Sequence, residues 1–172
     1  MITQFLNFRV EEYRRSEIIW QMVVHLNKVT AEGHDGLRSC LLELQRSNRF
    51  YSGGIFVLFT GAKVADTGRS WCPSCVRAEP VIEQALDDLT KVDTDQQQQR
   101  HIVFVTCDVG NREVWKSPSN SIKADATLDV KSVPSLIKYS LSDGCCVQGQ
   151  KLDTDEHFQT VGSIVEFMLK RP

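Results

Sequence analysis

Two cysteines in the run Trp71-Cys72-Pro73-Ser74-Cys75 have the type and spacing to do chemistry. A thiol attacks a disulfide as its thiolate, so a cycling pair needs one sulfur favoured as an anion. It also needs a second sulfur close enough to close the bond. The residues just beyond the pair supply the setting. Val76, Val81, Ile82, Leu86 and Leu89 line one stripe of a predicted helix. Cys72 then falls at the N-terminal end, where unpaired N–H groups and the helix dipole favour negative charge. This placement predicts Cys72 as the exposed nucleophile and Cys75 as the more buried resolving thiol. Pro73 suits the first turn, where its missing N–H costs nothing. Pro80 should bend the helix without ending it. Trp71 reads either as a flat apolar surface beside the nucleophile or as a core aromatic.

Other chemistries compete for the same residues. A Cys-x-x-Cys pair can be half a zinc site, which needs two further ligands. Cys145 and Cys146 are adjacent and poorly spaced for a second pair, and no His-x-x-x-His occurs, so no metal is expected. Gly61 to Gly68-Arg69-Ser70 departs from a phosphate loop by two extra residues and by Arg in place of Lys, and is rejected as one. Cys107 ends an apolar strand and reads as a structural thiol, and Cys40 reads as inert on a helix. Cys145 and Cys146 fall in a predicted turn, where exposure would leave an accessory redox role open.

Positioning the pair requires a scaffold. Met22–Val29 reads as a first strand, Leu37 to Ser47 as a helix, and Ile55–Thr60 as a strand buried on both faces. A polar loop, Gly61–Ser70, leads into the cysteine segment. Asp93–Arg100 reads as a loop with Gln96–Gln99 as a solvated insertion. His101–Cys107 is a third strand, and Trp115–Thr127 a mixed connection with room for a short helix. Ser135–Tyr139 follows Pro134 as a fourth strand, and Cys146–Leu152 forms an edge strand. Glu156–Lys170 is predicted as one closing helix, with Val161, Ile164, Val165 and Met168 facing inward. Alternating elements of this kind predict an α/β sheet covered on both faces, parallel first and antiparallel in its closing hairpin. The predicted organisation is one domain over residues 22–172, preceded by an extension over residues 1–21.

A chain of 172 residues, 41% hydrophobic and 24% charged, suits one globular domain with a full core. The net charge of -2 provides no basic field for nucleic acid or an acidic membrane. No apolar run approaches the roughly 20 residues of a membrane helix. The first residues alternate apolar and polar types and include Glu11, Glu12 and Glu17, unlike a secretory or mitochondrial leader. A cytoplasmic address is therefore expected, with neither nucleic acid nor membrane as partner. There a tight cysteine pair serves redox or metal chemistry rather than a disulfide framework.

Taken together these residues resemble the thioredoxin superfamily. Within it, the chain is similar to the small cytosolic thioredoxin-related group of thioredoxin domain-containing protein 17. The match rests on Phe59-Thr60-Gly61 followed by a long loop to Ser70-Trp71-Cys72-Pro73, and on Cys75-Val76 with Ala78-Glu79-Pro80-Val81. It continues through Cys107, Val109-Gly110, Trp115-Lys116, Pro118 and Asn120 to Val133-Pro134-Ser135-Leu136-Ile137-Lys138-Tyr139. The resemblance implies a thioredoxin fold, a mixed sheet of four to five strands flanked by helices, with Pro134 cis and packed against the cysteine pair. It implies reduction of disulfides in small molecules such as cystine and in selected proteins, with no bound cofactor. Electrons would come from NADPH through thioredoxin reductase as partner. Val133 backbone groups would pair with substrate like an added strand.

Three departures stand out. Ser74 occupies a position that is usually acidic in the family. Val57 is expected where ordinary thioredoxins bury a carboxylate. Residues 1–21 and the Gln96–Gln99 insertion have no counterpart. Two other functions fit parts of the pattern. A glutaredoxin would need a Gly-Gly pair after the proline strand, whereas this chain has only the separated Gly144 and Gly149. A binding adaptor on the same fold would need no turnover.

Overall fold

The computed structural model describes residues 22–47, 51–91, 98–142 and 145–170. Five strands make one sheet in the order β1-β3-β2-β4-β5. They are β1 Met22–Glu32, β2 Gly54–Thr60, β3 Gln98–Asp108, β4 Ser135–Ser142 and β5 Cys145–Leu152. β1 and β2 pair in parallel with β3, β4 runs antiparallel to β2, and β5 antiparallel to β4. Parallel neighbours require crossovers. Helix α1, Gly33–Arg46, joins β1 to β2, and α2, Pro73–Thr90, joins β2 to β3. Two short helices, α3 (Arg112–Lys116) and α4 (Ser121–Ala124), precede β4. A 3₁₀ turn, Asp155–Phe158, and α5, Val161–Leu169, come after β5. This is the five-stranded mixed sheet of a thioredoxin fold.

Strand parity sorts the core into two layers. Ile55, Val57 and Phe59 point to one face of β2, where they meet Leu37 and Leu44 of α1, Trp115 of α3 and Ile122 of α4. Phe56 and Leu58 point to the other, against Ile82, Leu86 and Leu89 of α2 and Ile164, Phe167 and Met168 of α5. β3 divides likewise, with Val103, Val105 and Cys107 on the first face and Ile102 and Phe104 on the second. Successive strand residues face opposite ways, so a strand covered on both sides must be continuously apolar. Burying each such side chain stabilises the fold by about 1.5–3 kcal/mol.

Several boundaries differ from the sequence reading. β1 runs to Glu32 and passes directly into α1 through Gly33 at φ 63°, a left-handed conformation natural to glycine. β3 begins at Gln98, so Gln98–Arg100 belong to the sheet rather than to a loop. The backbone pairing Val23↔Gln99 and Val24↔Arg100 makes no demand for apolar side chains there. Arg100 is buried and donates to the Leu169 carbonyl at 2.8 Å. The single closing helix is two pieces. The 3₁₀ turn ends at Phe158, and Thr160 starts α5 by accepting the Ser163 N–H at 3.3 Å. Thr is a favoured N-cap because its hydroxyl satisfies a free helix donor. α2 continues unbroken through Pro80. The predicted extension over residues 1–21, Gln96 and the Cys145 and Cys146 side chains lie outside the described residues.

Candidate active site

The loop after β2 is pinned at its base. Trp71 N–H donates to the Ala62 carbonyl at 3.1 Å, and an isolated bridge joins Lys63 to Ser70. The Trp71 indole N–H donates to the Gly110 carbonyl at 2.8 Å, tying the loop to the end of β3. Gly61 leaves no room for a side chain, because a Cβ there would meet Trp71 Cε2 at 2.7 Å. Ser70 Oγ donates to the Gly61 carbonyl at 2.8 Å and accepts the Cys72 N–H at 3.2 Å. These bonds deliver Cys72 to the N-terminus of α2 in a fixed orientation.

Cys72 is the N-cap of α2, and its Sγ accepts the Cys75 N–H at 3.3 Å. A helix N-cap side chain normally satisfies one of the free donors of the first turn, and a sulfur in that place receives the donors and the dipole together. Pro73 comes next, at the first helical position. Cys72 Sγ also donates to the Val133 carbonyl at 3.4 Å. The Val133–Pro134 peptide bond is cis. The two thiols are free, with Cys72 6% and Cys75 3% exposed. Cys72 is thus not the open nucleophile read from the sequence. The Val133 carbonyl and the Ser70 hydroxyl both bond to it, and the residue as a whole is buried.

Burial, and next the hydrogen bond with Cys72, push the Cys75 thiol up from its ordinary range. The neighbouring Gly61 backbone and Thr60 hydroxyl act the other way, favouring the anion. A cleft of about 420 Å³ reaches Cys75 and Pro134 between α2 and the C-terminal ends of β1, β3 and β2. Leu58 and Thr60 stand in its wall. Leu58 and Thr60, and not Val57, are therefore the β2 residues on the side of Cys75. Val57 packs on the opposite side of the sheet, and a one-residue error in strand position always exchanges the faces.

At the rim, Ser74 Oγ donates to Asp155 Oδ2 at 3.2 Å, and Arg77 Nη2 donates to Ser74 Oγ at 3.0 Å and to Asp155 Oδ2 at 2.8 Å. A carboxylate therefore stands beside Ser74 after all, supplied by the 3₁₀ turn. Trp71, Cys72, Cys75, Val133 and Pro134 come together, with Pro73 and Ser74 in the same helical turn. Pro80 lies further along α2. Sequence reading named Thr60, Gly61 and Gly110 within motifs but gave them no role in the site, and it missed Arg77 and Asp155. Thr60 carried a weak signal as the polar end of an apolar strand, whereas Asp155 carried none. Among the described residues, no three His, Cys, Asp or Glu side chains converge as a metal-binding set. Among them also, no helix is long and apolar enough to cross a membrane.

The sequence profile of the thioredoxin domain of thioredoxin domain-containing protein 17-like proteins matches residues 30–170. Human thioredoxin domain-containing protein 17 is 37% identical over 103 residues, 58% of this chain and 74% of that protein. The thioredoxin-like protein Clot of Arabidopsis thaliana is 31% identical over 121 residues, 70% of this chain and 81% of that one. The solved thioredoxin of Trichomonas vaginalis has a TM-score of 0.45 and 16% identity, over 81% of this chain and 93% of its own. With the profile spanning strands β2 to β5, both long helices and the cysteine pair, the chain belongs to the thioredoxin domain-containing protein 17-like family, whose function is of the thioredoxin redox type.

Proposed function

We propose that this chain is a cytoplasmic disulfide reductase that works by a Cys72/Cys75 dithiol–disulfide cycle on cystine-like small molecules and selected proteins. The observation that carries the reading is the Cys72 sulfur at the helix N-cap. It accepts the Cys75 N–H at 3.3 Å and stands 3.4 Å from the carbonyl that precedes the cis proline. In the first step the Cys72 thiolate attacks one substrate sulfur, forms a mixed disulfide and expels the other sulfur as a thiolate. In the second, Cys75 loses its proton and attacks Cys72, which closes the protein disulfide and releases the second substrate thiolate. Trp71 and the Val133 backbone form the substrate-facing surface, with Val133 pairing as an added strand would. Two electrons from NADPH, delivered through thioredoxin reductase, restore the dithiol.

A coupled assay tests this directly. NADPH consumption is followed with cystine or insulin as substrate and either thioredoxin reductase or glutathione with glutathione reductase as donor. Turnover is expected in the first arm and none above background in the second. Turnover confined to the glutathione arm would make the chain glutaredoxin-like, and silence in both would make it a binding module.

A further inference from the structure

The second step of the proposed cycle leaves a physical question. Cys75 must lose a proton to attack, yet burial favours its neutral form. Of the β2 residues that face this thiol across the cleft, Leu58 carries no group that could take a proton and Thr60 is the polar one. Some group in the cleft must take the proton.

Sheet register identifies a route. On the face that carries α2, alternate residues are apolar toward the start of each parallel strand: Val24 and Leu26, Phe56 and Leu58, Ile102 and Phe104. At the C-terminal ends the same face turns polar. Thr60 pairs across the sheet with Asp108, and Asp108 pairs with Glu32, so the three stand in one row over β2, β3 and β1. All three line the cleft that reaches Cys75. Exposure rises along the row, from Cys75 at 3% through half-buried Thr60 and Asp108 to exposed Glu32. Thr60 and Cys75 stand in the wall of the same cleft, so the hydroxyl is the first polar side chain of the row beside the buried thiol.

We propose that Thr60 and Asp108 take the Cys75 proton during the resolving step and pass it by way of Glu32 and cleft water to solvent. A hydroxyl both donates and accepts, so Thr60 accepts the S–H proton as its own proton moves to the Asp108 carboxylate. The Cys75 electron pair forms the new S–S bond, the Cys72–substrate bond breaks, and the substrate leaves as a thiolate. The other charged groups that face this cleft are Lys63, Glu79 and Glu83. Glu79 is paired with Lys63 at 2.8 Å and Glu83 with Lys28 at 2.9 Å. Asp108 is instead anchored by the Gly110 N–H on Oδ1 at 2.7 Å, which holds the carboxylate at the wall beside Thr60.

This inference rests on the proposed dithiol cycle, and one experiment separates the two. Full-length reduced protein is mixed with one equivalent of dithiobisnitrobenzoate, and release of the coloured thiol is followed by stopped flow. The first release reports attack by Cys72 and the second reports resolution by Cys75. Thr60→Val and Asp108→Asn are expected to keep the first release within about twofold and slow the second about tenfold or more near pH 7. The deficit should shrink as pH rises and solvent base takes over. Thr60→Ser, which restores the hydroxyl, should recover the second release, as a purely packing role for the methyl-bearing side chain would not require. A wild-type second release in both Thr60→Val and Asp108→Asn across the pH range would overturn the relay while leaving the cycle intact. A second release that persists in Cys75→Ser would overturn the cycle and the relay with it.

Discussion

Cys75 and Cys107 are both buried thiols at the C-terminal ends of the parallel strands, but their neighbours differ in kind. Cys75 is 3% exposed and Cys107 0%, and in each case burial is the main force holding the proton on. Around Cys75 stand the Thr60 hydroxyl and the Gly61 backbone, which favour a sulfur anion, together with the partner Cys72, which holds the proton on. Around Cys107 the sulfur meets the carbonyls of Gly33 at 3.8 Å and Asp108 at 4.0 Å, which only accept from a neutral S–H. The Asp108 charge adds to burial in pushing Cys107 up to about 12. Depth alone does not make a thiol inert or reactive. The polarity of its neighbours decides which charge state it can visit.

The sharpest way to break this contrast is substitution at the cysteines themselves. Cys72→Ser should abolish NADPH-coupled disulfide reduction, because no other thiol holds the N-cap position. Cys107→Ala should keep turnover within about twofold. It should still lose roughly 1–2 kcal/mol of stability in denaturant titration, from the cavity left behind. Substantial turnover in Cys72→Ser would move the chemistry elsewhere. Next in size, Cys75→Ser should accumulate a mixed disulfide at Cys72, visible as added mass that reductant removes, while Cys107→Ser accumulates none.

Alkaline pH sharpens the comparison from the stability side. Cys107 titrates near 9.0 in an ordinary setting and about 12 in the fold. Its contribution is complete below pH 9 and is lost as pH rises from 9 toward 12. The loss is at most about 1.4 kcal/mol per pH unit. The unfolding free energy of Cys107→Ala should therefore fall less steeply than wild type over that window. The smallest effect belongs to the rim. Ser74→Asp places a second carboxylate beside Asp155 with Arg77 between them. These charges are largely solvated, so stability should change by less than about 1 kcal/mol. Relative rates on acidic and basic disulfide substrates should shift, measured as kcat/KM ratios.

What the sequence could disclose came from local pattern. The Cys-x-x-Cys pair, the helix stripe beyond it and the continuous apolar strands are all written within a few residues of one another. The fold and the identity of the reacting atoms were therefore legible. Features set by register were not. Val57 and Leu58 are both apolar neighbours in one strand, and only the pleat decides which of them faces the cysteines. Gln98 and Gln99 look like loop residues until β1 supplies backbone partners. Thr160 divides the last helical stretch through a capping bond that periodicity does not reveal. Glu32, Thr60 and Asp108 come from three separate strand ends, where sequence signals give way to turns. The resemblance set the Val133–Pro134 segment beside the pair, but local pattern did not disclose that Cys72 would be buried there with its thiol on the Val133 carbonyl.

The pinched loop after β2 has an evolutionary consequence. Its neck is closed by the Lys63–Ser70 bridge, the Trp71–Ala62 bond and the Val64 N–H on the Arg69 carbonyl at 2.8 Å. Its tip turns through Gly68, at φ 63° with open space around it. A closed neck makes the position of Trp71 and Cys72 independent of how far the chain wanders before it reaches them. Insertions or deletions between Ala65 and Gly68 can accumulate without displacing either residue, and loop tips of this kind accept foreign sequence readily. The stretch beside the reaction centre is thus a place where lineages can diverge in size, and where a peptide tag or reporter could be spliced in, while the chemistry beneath stays in register.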